Sequence, residues 1–205
     1  MRQSPEPHLL HLSKDKKLAG IMTNPLPTLA IQKNIALKLI GSIMSQQLSV
    51  KVATVIYTRF LALYDGKQPT AQQILDTPAA TLRSIGLSNA KVGYVHNVAR
   101  FTVDEKLTDK KLIKMDDEEV IRYLTQIKGV GRWTVEMLLM FDLCREDVFA
   151  VDDLGLQQAM MRLYKLDNTD KKAFREKLLK LSKKWAPYRS YASRYLWAWK
   201  DTKQE

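Results

Sequence analysis

Apolar residues recur three and four positions apart along most of this chain, and where that spacing lapses the sequence supplies helix caps and breakers rather than alternating strands. The first ten or so residues, polar and proline-bearing, are predicted to fray. A first helix is predicted over 8–21, ended by Asn24-Pro25-Leu26-Pro27. From Thr28 the period is again helical through Leu29, Ile31, Ile35, Leu37, Leu39 and Ile40. It lapses into small polar residues over Gly41–Ser49, and Ser49 is placed to cap a helix over 50–64. Asp65-Gly66 reads as a turn, and Thr70-Ala71-Gln72-Gln73 as a capping box opening a short helix to Leu75 or Asp76. Thr77-Pro78 opens a helix over 79–85, closed by Gly86. Ser88 opens one over 89–102, with Val92, Val95, Val98 and Ala99 inward. After a short helical piece at 112–114, Asp116 caps a helix whose stripe runs Val120, Leu124, Ile127 until Gly129-Val130-Gly131 breaks it. Val135, Leu138, Leu139 and Phe141 resume the period. Asp152 and Asp153 open another helix, Asp167-Asn168-Thr169-Asp170 caps one through Phe174, Leu178 and Leu181, and the last runs over 188–199 beyond Pro187. Caps are many and β-branched alternating runs few, so the expected fold class is all-α, with some ten helices.

Composition narrows the functional classes. At 205 residues the chain can bury a substantial core, as one domain or two small ones. Lys and Arg number 33 against 22 acidic residues, a net charge of +11. That excess suits a polyanionic partner, since cationic side chains release counterions from phosphates, although charge alone leaves a merely soluble basic protein open. A single cysteine, Cys144, excludes an intrachain disulfide and any all-cysteine metal or iron–sulfur site. His8, His11 and His96 have no metal-ligand spacing. No apolar run approaches membrane-spanning length and no secretory h-region opens the chain. The expectation is a reduced, intracellular protein without a membrane partner, cytoplasmic in a bacterium or nuclear in a eukaryote. The charge runs Lys14-Asp15-Lys16-Lys17, Lys110-Lys111 and Lys183-Lys184 read as solvated helix faces or termini, and none is assigned to DNA.

The most informative stretch is Glu119–Gln158, a helix, a Gly-Val-Gly turn, a helix, a connector and a new helix behind an Asp-Asp pair. Glycines flanking a one-residue step leave backbone N–H groups uncovered, and the following helix starts with its positive dipole end outward. Such a turn suits an anion, and Lys128 and Arg132 beside it favour phosphate. A bare Gly-x-Gly is more often an ordinary turn. The whole string, however, resembles the helix-hairpin-helix motif of DNA glycosylases, in which an acidic residue follows at the start of the next helix, here in Val148-Phe149-Ala150-Val151-Asp152-Asp153-Leu154-Gly155. The tail Trp185-Ala186-Pro187-Tyr188-Arg189-Ser190-Tyr191-Ala192, then Leu196-Trp197, and the Ile43–Ser49 segment with its Ser-Gln-Gln, are similar to the 3-methyladenine DNA glycosylase II family over residues 30–199. The resemblance implies two helical lobes with the active-site cleft between them. One lobe is a helical barrel over 37–145 containing the hairpin at about 119–141; the other combines 1–36 with 146–205. The N-terminal sheet domain of some members is expected to be missing, giving a minimal form.

For chemistry the resemblance implies Asp153 as the catalytic acid, with Asp152 as the helix cap; a one-residue slip in register would exchange them. Cleaving an N-glycosidic bond develops positive charge on the deoxyribose, which a fixed carboxylate stabilises; it also orients or deprotonates the attacking water. Trp133 stands where bifunctional relatives carry a Schiff-base lysine, so water is the expected nucleophile and no lyase step is expected. Trp133 and Trp197 match base-pocket aromatics, whose electron-rich faces attract the cationic ring of an alkylated purine. At Met137 the sequence departs from the family, because a pocket tyrosine of some members is absent. Base flipping needs a side chain to fill the gap, and Gln47 or Leu48 is the candidate wedge. Phosphate contacts are expected at Gly129, Gly131, Lys128 and Arg132. The carbonyls of Thr125, Ile127 and Val130 match positions that hold a structural monovalent cation, Na+ or K+. No catalytic cofactor and no iron–sulfur cluster are expected. The implied partner of this monomer is damaged double-stranded DNA, from which 3-methyladenine and 7-methylguanine type bases are released. The alternatives are a glycosylase of the same superfamily for deaminated or oxidised bases, and a non-catalytic helix-hairpin-helix DNA-binding protein.

Overall fold

The structure is a computed structural model that describes residues 6–202. Among these residues all regular structure is helical, with no strand. In chain order the helices are α1 (Pro7–Leu12), α2 (Lys16–Ala19), α3 (Ile35–Ser45), α4 (Val50–Ala62), α5 (Ala71–Asp76), α6 (Ala79–Ser84), α7 (Asn89–Asp104), α8 (Asp109–Lys114), α9 (Asp117–Leu124), α10 (Arg132–Phe141), α11 (Leu154–Tyr164), α12 (Lys171–Ser182) and α13 (Arg189–Asp201), with a 3-10 turn at Lys183–Trp185.

The caps lie largely where the sequence puts them. Ser49 and Ser88 accept from the N–H groups of Val52 and Lys91, and Asp170 from those of Lys172 and Ala173. Thr70 with Gln73, and Asp116 with Glu119, form complete capping boxes. Each such cap contributes on the order of 1 kcal/mol to its helix.

Three expectations are corrected. The helical period from Thr28 does not form a helix until Ile35. Pro25 and Pro27 disfavour helix upstream, and the helix start is fixed from a distance: the Asp109 carboxylate accepts from the N–H groups of Asn34 (2.8 Å) and Ile35 (2.9 Å). Asn34 itself is left-handed (φ 59°) and caps α3. The first predicted helix is two, because Asp15 restarts the chain by accepting from Lys17 and Leu18 N–H. The short piece at 112–114 begins earlier, at Asp109, behind Thr108 as cap. Of the stretch expected to fray, residues 1–5 lie outside the described residues, while Pro7 opens α1.

The chain divides into two compact units, Ile31–Leu138 and a second made of the chain up to Ala30 together with Leu139 onward. These borders precede those expected from the sequence, 37 and 145. Asp109 draws residues 34 and 35 into the first unit, as just described. Residues 145–148 are drawn into the second by α13: Ser190 Oγ donates to the Arg145 carbonyl (2.6 Å) and accepts from Val148 N–H (2.9 Å). The Arg189 guanidinium also forks onto Asp147 at 2.7 and 2.9 Å.

In the first unit α7 is the hub, packing on α3, α5 and α6 through Val92, Val95, Val98 and Ala99. Helix α3 is buried on nearly all sides through Ile35, Leu37, Leu39, Ile40, Ile43 and Met44. The second unit is organised around α13, which packs on α11 and α2. Its core takes Trp185, Ala192, Tyr195, Leu196, Leu156 and Met160.

Candidate active site

The hairpin joining α9 to α10 is held by α7. Gly129 has φ +104°, a conformation that L side chains rarely adopt, and a Cβ there would lie 2.2 Å from Tyr94 Cγ. The hairpin therefore rests directly on the Tyr94 ring, and only glycine allows the approach. One turn along α7, Asn97 Nδ2 donates to the Lys128 carbonyl (3.0 Å). Inside the turn, Val130 N–H donates to the Ile127 carbonyl (3.0 Å) and Val135 N–H to that of Gly131 (3.2 Å), so α10 starts immediately after the second glycine. Gly131 differs from Gly129: its φ is ordinary, and a Cβ would meet nothing within 4 Å. The chain's own packing does not require glycine there. It leaves open space beside the first turn of α10, the positive end of that helix's dipole.

Of the two cations beside the turn, Lys128 is exposed. Arg132 is engaged within the chain: its guanidinium forks onto Glu118 of α9, and Nε donates to the buried Glu136 (2.9 Å). The hydrogen bond from Arg132 holds the Glu118 carboxyl below its ordinary range. Arg132 thus ties α9 to α10 across the turn. Trp133, on the first turn of α10, is 43 % exposed.

In the same unit, α3 ends in the Gln46-Gln47-Leu48 loop. Gln47 is left-handed (φ 59°), and both Gln47 and Leu48 are exposed. The loop base is clamped by Lys91 at the start of α7, whose ammonium donates to the carbonyls of Met44 (2.9 Å) and Gln46 (2.7 Å). Burial lowers the pKa of this amine.

In the other unit stands the Asp-Asp pair that the resemblance singles out. Asp153 is the N-cap of α11, and its Oδ1 accepts from Leu156 N–H (2.7 Å) and from the indole N–H of Trp197 on α13 (2.9 Å). The expected division of labour is therefore corrected: the cap is Asp153, not Asp152. Asp152 is exposed and pairs with Arg175 of α12 (3.0 Å). Asp153 is half-buried and locked by helix and tryptophan together. Trp197 in turn packs on Phe141, ring centroids 5.8 Å apart and tilted by 32°. Gly155 makes this meeting possible, since a Cβ would stand 3.1 Å from Asp153 Oδ1 and 3.2 Å from the Trp197 indole.

The structure thus brings together Asp153 and Trp197 in one unit, and Lys128, Gly129, Gly131, Arg132 and Trp133 at the hairpin of the other. Sequence reasoning missed Tyr94, Asn97, Lys91, Phe141 and Gly155. Gly155, two residues past the acid in a helix's first turn, was the one readable signal, because glycine there costs helix stability unless something needs the space.

Comparison with known proteins gives the family. Residues 40–184 match the model of the HhH-GPD superfamily base excision DNA repair proteins, and the chain belongs to that family. DNA-3-methyladenine glycosylase 1 of Schizosaccharomyces pombe is 36 % identical over 196 residues, covering 94 % of this chain and 85 % of its own. A putative DNA-3-methyladenine glycosylase of Bacillus subtilis, YfjP, is 32 % identical, covering 93 % and 68 %. Among solved structures, the S. pombe enzyme Mag1 in complex with abasic DNA superposes with a TM-score of 0.81 at 35 % identity, covering 94 % of this chain and 95 % of that one. A DNA-3-methyladenine glycosidase of Bacillus halodurans gives 0.85 at 32 % identity, covering 98 % and 94 %.

Proposed function

We propose that this chain is a monofunctional DNA-3-methyladenine glycosylase of base excision repair, flipping 3-methyladenine and 7-methylguanine type bases from duplex DNA and hydrolysing their N-glycosidic bond. The observation that carries the reading is the Asp153 carboxylate, fixed by the α11 N-terminus and the Trp197 indole in a chain of this family. As the base departs, positive charge builds on the deoxyribose. A carboxylate already oriented by two donors stabilises that charge with little reorganisation, and it orients the attacking water. An alkylated purine is already a cationic leaving group, so no general acid is required. With tryptophan at position 133, no amine attacks the sugar there.

Trp133, exposed on α10, and Trp197, beside Asp153, each offer an aromatic face of the kind that attracts a cationic base. At the hairpin, the space beside Gly131 admits a phosphate to the N–H groups opening α10, with Lys128 supplying charge. Arg132, neutralised by Glu118 and Glu136, contributes by shaping the turn. Gln47 or Leu48, exposed at the tip of the Lys91-clamped loop, fills the gap left by the flipped base. The carbonyls of Thr125, Ile127 and Val130, at the end of α9 and in the turn, are hard oxygen ligands of the kind that suit Na+ or K+; such an ion would brace the hairpin and take no part in the chemistry.

The test is base release from methylated duplex DNA. Wild type is expected to liberate 3-methyladenine and 7-methylguanine, and Asp153→Asn to bind the same DNA and liberate neither. Full activity in Asp153→Asn overturns the assignment of the acid. Tight binding by wild type without release of any alkylated base overturns the reaction.

A further inference from the structure

Two of the lysine runs that look like separate solvated surfaces in the sequence meet in the fold. An open groove of about 420 Å³ in the second unit is lined by Lys14, Lys16, Lys17 and Lys184 around a floor that includes Tyr164 and Trp185. The runs are fastened to each other. His11 Nε2 hydrogen-bonds the Lys184 carbonyl (3.1 Å), and the Trp185 indole N–H donates to Asp15 (3.2 Å). Among the described residues the only acid lining the groove is Asp15. Its carboxylate is spent on the floor: Tyr164 OH (2.7 Å), Trp185 and the backbone N–H groups of Lys17 and Leu18 all donate to it. None of the four lysines has a carboxylate partner among the described residues. The fold therefore holds four cations around one concavity with their local acid turned away. That arrangement is repulsive by itself and favourable only toward an anion.

We infer that this groove is a second phosphate-binding surface, which takes the backbone of duplex DNA in addition to the hairpin. The inference rests on the reading that the chain acts on DNA. Duplex DNA is the occupant that the chemistry favours: the chain carries a net charge of +11, and lysines act as point charges that suit a phosphodiester backbone without reading bases. The contact is thus independent of sequence and of damage. It adds to residence on undamaged DNA and leaves the chemical step alone.

Binding to a long undamaged duplex, followed by fluorescence anisotropy across a salt titration, tests this. The triple variant Lys14→Ala, Lys16→Ala, Lys184→Ala spares Lys17, which packs over the Tyr164 ring. Its control, Lys67→Ala, Lys110→Ala, Lys114→Ala, changes net charge equally with exposed lysines of the other unit. Every phosphate that a lysine no longer neutralises lowers the slope of log K against log salt by about 0.9. The triple variant is therefore expected to have a slope shallower by about two to three and an affinity at low salt weaker by roughly tenfold or more. The control slope is expected to change by less than one. Base release at saturating DNA is expected to stay at the wild-type rate in both, with unchanged melting curves. Equal slopes for the triple variant and its control overturn the inference. So does an unchanged DNA slope with abolished binding to polyglutamate, which assigns the groove to an acidic protein. Asp153→Asn, measured alongside, separates the two readings, since a failure of the catalytic assignment appears in its base release and leaves the salt slopes untouched.

Discussion

At the scale of single residues, the proposed site turns on one carboxylate to which two duties fall. Asp153 caps α11 and presents the proposed catalytic oxygen, and the two duties can be separated by substitution. Asparagine caps a helix about as well as aspartate, so Asp153→Asn is expected to keep the fold and the DNA affinity while base release is lost. Asp152→Asn removes an exposed pair with Arg175, worth less than about 1 kcal/mol, and activity is expected to remain. The sequence pointed to the Asp-Asp pair but assigned the cap to the wrong member, because Arg175, which occupies Asp152, comes from another helix and leaves no mark near the pair. The resemblance set Trp197 among the pocket aromatics, and nothing in the sequence marked it as the donor to Asp153. Removing one hydrogen bond to a carboxylate costs about 1.5–3 kcal/mol. Trp197→Phe, which keeps a ring against Phe141, is therefore expected to lower single-turnover base release roughly 10- to 100-fold. Gly155→Ala is expected to do the same by driving Trp197 and Asp153 apart. Rates equal to wild type in both variants would leave the indole N–H without a role.

Among the elements, the hairpin contains a built-in control. Its two glycines look alike in the sequence and differ in what they do. Gly129→Ala places a Cβ within the Tyr94 ring at a positive φ; the backbone cost is about 1–2 kcal/mol and the overlap adds about 1–3 kcal/mol. A fall in melting temperature is expected, with the overlap part recovered when Tyr94→Ala is added. Gly131→Ala meets nothing and is expected to melt like wild type while binding DNA more weakly, since the methyl group occupies the space proposed for phosphate. If both variants melt alike and bind alike, the open side of Gly131 serves no ligand. Local signals made most of these elements readable: Ser49, Thr70, Ser88, Asp116 and Asp170 cap the helices they precede. Where reading failed, the cause was nonlocal. Residues 28–33 have a helical period, yet α3 starts at Ile35 because Asp109, 75 positions beyond Asn34, accepts its leading N–H groups. Tyr94 beneath Gly129 and Lys91 beneath the Gln47 loop are likewise placed by α7 packing, which no short window of sequence contains.

At the scale of the whole molecule, each unit has its own apolar core, and the unit that carries Asp153 is assembled from both ends of the chain. Such a unit needs a fastening between segments that meet only after folding, and Asp15 provides it. Burial alone would raise its carboxyl. The donors from Tyr164, Trp185 and the N–H groups of Leu18 and Lys17 together outweigh burial and hold it below the ordinary value of 3.8. The same contact pushes the Tyr164 hydroxyl well above its usual range, with burial as the larger cause and the Asp15 hydrogen bond next. A carboxyl whose folded pKa is depressed contributes stability that is complete above its unfolded value and is lost as pH falls through the folded one. Asp15→Asn keeps one acceptor but presents an amide to two donors, and is expected to cost on the order of 2 kcal/mol near neutral pH. The measurement is the melting temperature of wild type and variant from neutrality into acid. The gap is expected to hold constant down to about pH 5 and to narrow below about pH 4, as the wild-type carboxyl takes up its proton. A gap of the same size throughout would mean that Asp15 fastens the chain ends by shape alone and that its charge contributes nothing.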